Sequence, residues 1–200
     1  MVNLIGTYNQ ILSEYLESKF KFLKPVIEDK YDIELIKTLG ESSGIAYLTS
    51  DNKVFKLTSS QPEIKVSLDL QDNPNPYFPE IFMIDIFKIS GSNWYSLLKE
   101  FIPKLPAKVK NDFKQIEETI YEWFDDSTDD PTELLDYYLN ELATSSNLFL
   151  DYLKDDKPEL VYIYKQLIEI TKVGIKNNTT LDIHDENLGW KNNQIVLFDY

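Results

Sequence analysis

Three oxygen-bearing side chains, Asp182, Asn187 and Asp199, fall within residues 181–200. Asp182 and Asn187 stand in the polar stretch Asp182-Ile183-His184-Asp185-Glu186-Asn187. A short apolar run, a polar turn at Lys191-Asn192-Asn193, and a second apolar run through Ile195, Val196 and Leu197 then lead to Asp199. Read as loop, strand, turn and strand, this layout sets the three donors at the ends of two paired strands. A carboxylate base beside two oxygen ligands for a divalent cation is the equipment of phosphoryl transfer, where positioning and charge stabilisation supply most of the catalysis.

The elements that must hold such a tail follow from periodicity. Residues 6–23 carry apolar side chains at helical spacing (Tyr8, Ile11, Leu12, Tyr15, Leu16, Phe20, Leu23). From Tyr31 the period shortens. Ile33, Leu35 and Ile36 predict a strand, residues 40–44 a polar turn, and residues 45–48 a second strand. Asp51-Asn52 then turns the chain into Val54-Phe55-Lys56-Leu57. A helix is predicted over 61–70, with Ser60 as its cap and Pro62 in the first turn. Pro74, Pro76 and Pro79 mark a loop. Residues 81–89 and 94–101 read as two further strands joined by Ser90-Gly91-Ser92, and Pro103 and Pro106 as a linker. Helical patterns follow over 109–124, 131–153 and 158–176. The expectation is an α+β arrangement in two lobes: a five-stranded antiparallel sheet with its helix over residues 1–102, and a mainly helical part with the tail hairpin over 103–200.

Composition narrows the chemistry. There is no cysteine and one histidine, so thiolate metal sites and multi-histidine zinc sites are excluded. Thirteen Tyr, eleven Phe and three Trp supply an aromatic-rich core. The formal net charge of -14 repels nucleic acid and anionic membranes. It also repels a nucleotide triphosphate, so a nucleotide site here needs local lysine and a divalent cation. No apolar run reaches transmembrane length and the N-terminus lacks a signal pattern, which makes a soluble cytoplasmic protein the expectation.

In motif order and spacing, residues 31–199 resemble the protein kinase and aminoglycoside phosphotransferase superfamily, most closely its small phage or bacterial members. Leu39-Gly40-Glu-Ser-Ser-Gly44 resembles the glycine-rich loop, with two glycines where three are usual; an ordinary hairpin turn has the same composition. Val54-Phe55-Lys56-Leu57 resembles the third strand and its phosphate-contacting lysine; an outward lysine on a half-exposed strand is the other reading. By the resemblance Lys56 pairs with a helix glutamate, Glu63 or, failing that, Glu80. Leu98-Lys99-Glu100-Phe101-Ile102 resembles the hinge whose backbone, at Glu100 and Ile102, holds adenine; Lys99 stands where a bulky apolar residue is common. Asp182-Ile-His184-Asp-Glu-Asn187 matches the catalytic loop of the small-molecule phosphotransferases. That match makes Asp182 the base, Asn187 a metal ligand and His184 a structural residue, and the spacing of Asp185 to Asn187 excludes Asp185 as base. Asp199 at the end of an apolar strand matches the second metal ligand. The resemblance therefore implies ATP and Mg2+ as cofactors and a protein Ser/Thr or small-molecule hydroxyl as acceptor.

The pattern departs from the family after Asp199. Tyr200 stands where a glycine usually follows, and the expectation is that the activation segment and the substrate-holding helices have no counterpart and that a Tyr200 carboxylate adjoins Asp199. Weak or conditional activity is one expectation. Glu122, Asp125, Asp126, Asp129, Asp130, Glu133 and Asp136 also surround the aromatic residues Trp123, Phe124, Tyr137 and Tyr138. This stretch reads either as a solvated helical hairpin or as a docking face for a basic partner protein. In the second case the chain is a binding protein with little catalysis.

Overall fold

The computed structural model describes residues 22–41, 44–89, 92–124, 134–145 and 147–199. Most of the expected helix over 6–23, the tip of the glycine-containing turn at Ser42-Ser43, the Ser90-Gly91 turn, the acidic residues 125–133 and Tyr200 lie outside them. The fold is α+β. A helix over 22–31 (α1) precedes strands β1 (Leu35–Glu41), β2 (Gly44–Thr49) and β3 (Lys53–Thr58). Helix α2 (Gln61–Asp72), strands β4 (Ile81–Ile89) and β5 (Ser92–Glu100), and helices α3 (Ala107–Trp123), α4 (Leu135–Thr144), α5 (Leu148–Asp156) and α6 (Val161–Lys176) follow. A hairpin of β6 (Leu188–Lys191) and β7 (Gln194–Leu197) ends the described chain. Two compact units result: Met1–Ser60 with Phe82–Phe101, and Gln61–Ile81 with Ile102–Tyr200.

The first unit is built on a five-stranded sheet in the order β1-β2-β3-β5-β4. Cross-strand partners share a face of the sheet. One face therefore carries Phe55, Tyr47, Leu57 and Ile45. These join Leu35, Phe87 and Ile89 in a core closed by Ile27 of α1. The Tyr31 hydroxyl, 2.9 Å from Asp85 and 2.8 Å from Ser96, ties α1 to β4 and β5. The opposite face carries Lys56, paired with Ala46 and Leu97, and Lys99, paired with Val54. The predicted turn over 40–44 differs from expectation in being partly strand, because Gly40 and Glu41 pair with Ala46 and Ile45 after register shifts that bend β1. Gly44 is required by packing: a Cβ there would collide with the Leu57 carbonyl oxygen, whereas one at Gly40 would meet nothing within 4 Å.

In the second unit α6 is the central element, burying Ile163, Tyr164, Leu167 and Ile170 along one stripe. The single helix expected over 131–153 is instead two. Ser145 is extended, with φ -90 and ψ -178, and α5 starts after Asn147. Thr144 bonds back to the Asn140 and Glu141 carbonyls in the last turn of α4, competition of the kind that weakens a helix without proline or glycine. Helix α2 belongs to this unit. Its Asp69 accepts bonds from Lys176 at 2.7 and 2.8 Å and from Asn177 at 3.0 Å, at the C-terminal end of α6. No helix among the described residues is long and apolar enough to cross a membrane.

Candidate functional site

The run that carries Asp182 begins where α6 stops. Asn178 takes a left-handed conformation, φ 48, that ends the helix and turns the chain back. The returning segment lies against Gly174, where a Cβ would be 2.9 Å from the Leu181 side chain and the Thr179 carbonyl. Along it Leu181 and Ile183 are buried and the Asp182 side chain is 72% exposed. The turn closed by the Ile183 N–H on the Leu181 carbonyl at 3.1 Å thus has two apolar side chains buried and the carboxylate between them exposed.

The side chain of Asn187 then fixes that carboxylate. Its Nδ2 donates to Asp182 Oδ2 and to the Asp182 carbonyl, both at 3.0 Å. His184 approaches the same oxygen through Nε2 at 3.4 Å, while its Nδ1 accepts the Glu186 N–H at 3.3 Å. An Nδ1 that accepts leaves the ring proton on Nε2, facing Asp182. Asp185 is engaged elsewhere. Lys110 of α3 pairs with it at 2.8 Å and holds its carboxyl below the usual range.

The hairpin brings Asp199 to this place through its backbone. Phe198 N–H donates to the Asn187 carbonyl at 3.0 Å, one step beyond the Leu188–Leu197 pair, so Asn187 and Asp199 leave the same open end of β6 and β7. Asn192 and Asn193 close the other end, both at positive φ, as a two-residue turn that twists with the strands. Three contacts hold the hairpin in the unit. The buried Gln166 of α6 accepts the Ile195 N–H at 2.7 Å, Tyr162 bonds the Asn193 carbonyl, and Leu197 N–H donates to the Tyr77 carbonyl at 2.9 Å. Gly189 lets the segment after β5 approach: Ile102 packs on it, and Trp190 N–H donates to the Pro103 carbonyl at 2.9 Å.

The remaining expected site residues are distributed as follows. Gly40, Gly44, Lys56 and Glu100 belong to the first unit, and Glu63 and Ile102 to the second. Lys56 is 5% exposed, so the reading of an outward lysine does not hold; Lys99, on the same face, is 3% exposed. Glu63, in the first turn of α2, is 1% exposed, whereas Glu80 is exposed. Neither Lys56 nor Glu63 is without a partner. Glu100 lies opposite Lys53 at the end of β5.

Among the described residues no three His, Asp or Glu side chains form a cluster that could hold a metal. One carboxylate and one amide oxygen, from Asp199 and Asn187, nevertheless suit Mg2+, which keeps several waters and takes further oxygens from a phosphate. Donation by Asn187 through Nδ2 leaves its Oδ1 uncommitted to Asp182. Sequence reasoning missed Asp136. It counts there among surface acids, yet its Oδ1 accepts the Ile183 N–H at 3.2 Å. Burial pushes its carboxyl up to about 7, against the opposing pull of that bond. Nearby aromatic residues are also engaged within the unit: Phe124 stacks on Tyr138 with centroids 4.2 Å apart, and Trp123 packs on Phe149 and Tyr152.

No family model matches this chain, and no curated protein does. Among solved structures it is similar to the kinase PK-1 of Cydia pomonella granulovirus, at 16% identity and a TM-score of 0.44, over 90% of this chain and 57% of that one. It is similar also to an aminoglycoside phosphotransferase from Alicyclobacillus acidocaldarius, at 14% identity and a TM-score of 0.37, over 86% of this chain and 63% of that one. The chain thus spans less than two thirds of the length of either.

Proposed function

We propose that this chain is a kinase-like phosphotransferase that moves the terminal phosphoryl group of ATP, with Mg2+, to a hydroxyl of a protein Ser/Thr side chain or of a small molecule. The observation that carries the reading is the bonding of Asn187 to Asp182 at 3.0 Å, and the Phe198–Asn187 backbone bond, made by the residue before Asp199, supports it. The Asn187 bond supplies an exposed carboxylate oriented by a neighbouring amide. In this reading Asp182 accepts the acceptor's hydroxyl proton, the freed oxygen attacks the terminal phosphorus, and ADP leaves. Asn187 and Asp199 would hold Mg2+, whose chemistry is to offset charge on the phosphate oxygens. Lys56 would do the same as a point charge. Gly40 and Gly44 would admit the phosphates to the backbone, and the backbone at Glu100 and Ile102 would take the adenine edge. Support for these last roles is the buried lysine in the third strand of a β1-β2-β3-β5-β4 sheet.

Asp182→Asn tests the reading. Turnover should fall by about 10²–10⁴. Mg-ATP should still raise the melting temperature, since a ligand at a hundredfold excess over Kd adds about 2.7 kcal/mol. Unchanged turnover would remove Asp182 from the mechanism. Absence of any melting shift at millimolar Mg-ATP in the parent chain would end the nucleotide reading.

A further inference from the structure

Asp136 stands in the first turn of α4 and touches a loop that follows it by 47 residues. The Ile183 N–H it accepts lies also 3.1 Å from the Leu181 carbonyl. A three-residue turn of that kind is a weak restraint on its own. A second acceptor, a carboxyl oxygen from another helix, adds a bond to the same donor. The place is not a casual one. Asp136 lines a narrow recess with Asn140 of α4, Thr171 and Gly174 of α6, and Leu181 and Ile183 of the loop. Burial there opposes its ionisation, and so does the charge of Asp182. An aspartate on the solvent face of α4 would meet neither cost.

We propose that Asp136 is a positioning residue for Asp182: by accepting the Ile183 N–H it fixes the three-residue turn 181–183, in which Leu181 and Ile183 are buried and the Asp182 carboxylate is exposed. This rests on the reading of Asp182 as the catalytic base. Asp136 touches no reacting atom in that scheme and acts through the backbone one residue beyond the base.

The test compares Asp136→Asn, which keeps an acceptor oxygen, with Asp136→Ala and Asp136→Leu, which remove it; the leucine fills the volume and guards against a collapsed or unfolded variant. Two readouts need no activity: hydrogen exchange of the Ile183 amide, and the 15N shift of the Asn187 side-chain amide that holds Asp182. In Asp136→Ala or Asp136→Leu, Ile183 should exchange about tenfold faster or more and the Asn187 signal should move, with both restored in Asp136→Asn. In the full chain, kcat should fall about 10- to 100-fold in the acceptor-less variants with the KM for ATP unchanged, and recover in Asp136→Asn. Unaltered Ile183 exchange in a folded acceptor-less variant would overturn the proposal. So would a normal kcat despite faster exchange, or an Asp136→Asn variant as impaired as Asp136→Ala. If the parent chain transfers no phosphate, the phosphotransferase reading fails by itself, and the two spectroscopic readouts still decide whether Asp136 positions Asp182.

Discussion

In the proposed scheme Asn187 has two separable functions in one amide. Its nitrogen restrains Asp182, and its oxygen is the atom a cation would use. An aspartate at that position would offer a cation more charge but repel Asp182, which gives an amide a physical advantage over a carboxylate there. That Asp182 and Asn187 share one loop was legible in the sequence because they are five apart. Asp136 was not. Nothing in Leu135-Asp136-Tyr137-Tyr138 distinguishes an aspartate that turns inward from its exposed neighbours, and its partner lies on another element. The same residue gives a pH prediction. Its carboxyl is raised from 3.8 to about 7 in the folded chain. Between those values the folded state therefore binds the proton that the unfolded state has released. The Asp136 contribution to stability is thus full below pH ~4 and is lost as pH rises toward 7, at up to about 1.4 kcal/mol per pH unit. Asp136→Asn, with no proton to lose, should be more stable than the parent at pH 7.5 and show a smaller difference at pH 5. Urea denaturation at the two pH values measures it. An equal or opposite difference would show that the buried carboxyl is not the group responsible.

Strand and helix periods carried most of the elements. The tail hairpin was readable because two short apolar runs flank a polar turn, and the two asparagines adopt the positive φ that such a turn needs. The break between α4 and α5 escaped reading because Thr144-Ser145-Ser146-Asn147 contains neither proline nor glycine. The end of β1 escaped because Gly40 looks like turn chemistry yet pairs with Ala46. The two glycines of that motif now part company. Gly44→Ala should destabilise the chain, since its Cβ would collide with backbone of β3. Gly40→Ala has open space, so its melting temperature should stay within about a degree or two, as is usual for surface changes. A rise in KM for ATP in Gly40→Ala at unchanged stability would mark a ligand role. No change in either quantity would leave that glycine without one. A second element-level outcome concerns the hairpin's hold on α6. Gln166→Leu removes the acceptor of the buried Ile195 N–H, and leaving a buried donor unpaired costs about 1–3 kcal/mol. Gln166→Glu keeps an acceptor and should recover part of that loss. Denaturant midpoints of the two variants distinguish a lost bond from a lost side-chain shape.

Across the whole chain every side-chain cation in the formal charge is lysine, because the sequence contains no arginine. Lysine binds phosphate as a point charge rather than through a planar fork, so the amines and not a bidentate clamp would have to meet a nucleotide. These 20 cations face 34 carboxylates, for a net charge of -14. Two electrostatic effects then compete as salt is added. Screening weakens ion pairs such as Lys154–Asp151 and Lys172–Glu169, but these are exposed pairs within one helix turn, of a type worth only about 0.3–0.5 kcal/mol each. Screening also relieves the repulsion of the excess negative charge, which acts over many pairs at longer range and is cut off as the Debye length shortens to about 8 Å at 0.15 M. The second effect should prevail. The melting temperature at pH 7 should rise between about 10 and 150 mM NaCl, and KCl at equal ionic strength should give the same rise, as expected of screening rather than of a bound ion. A falling melting temperature would mean that local pairs, the Lys176–Asp69 contact between α2 and α6 first among them, outweigh the excess charge.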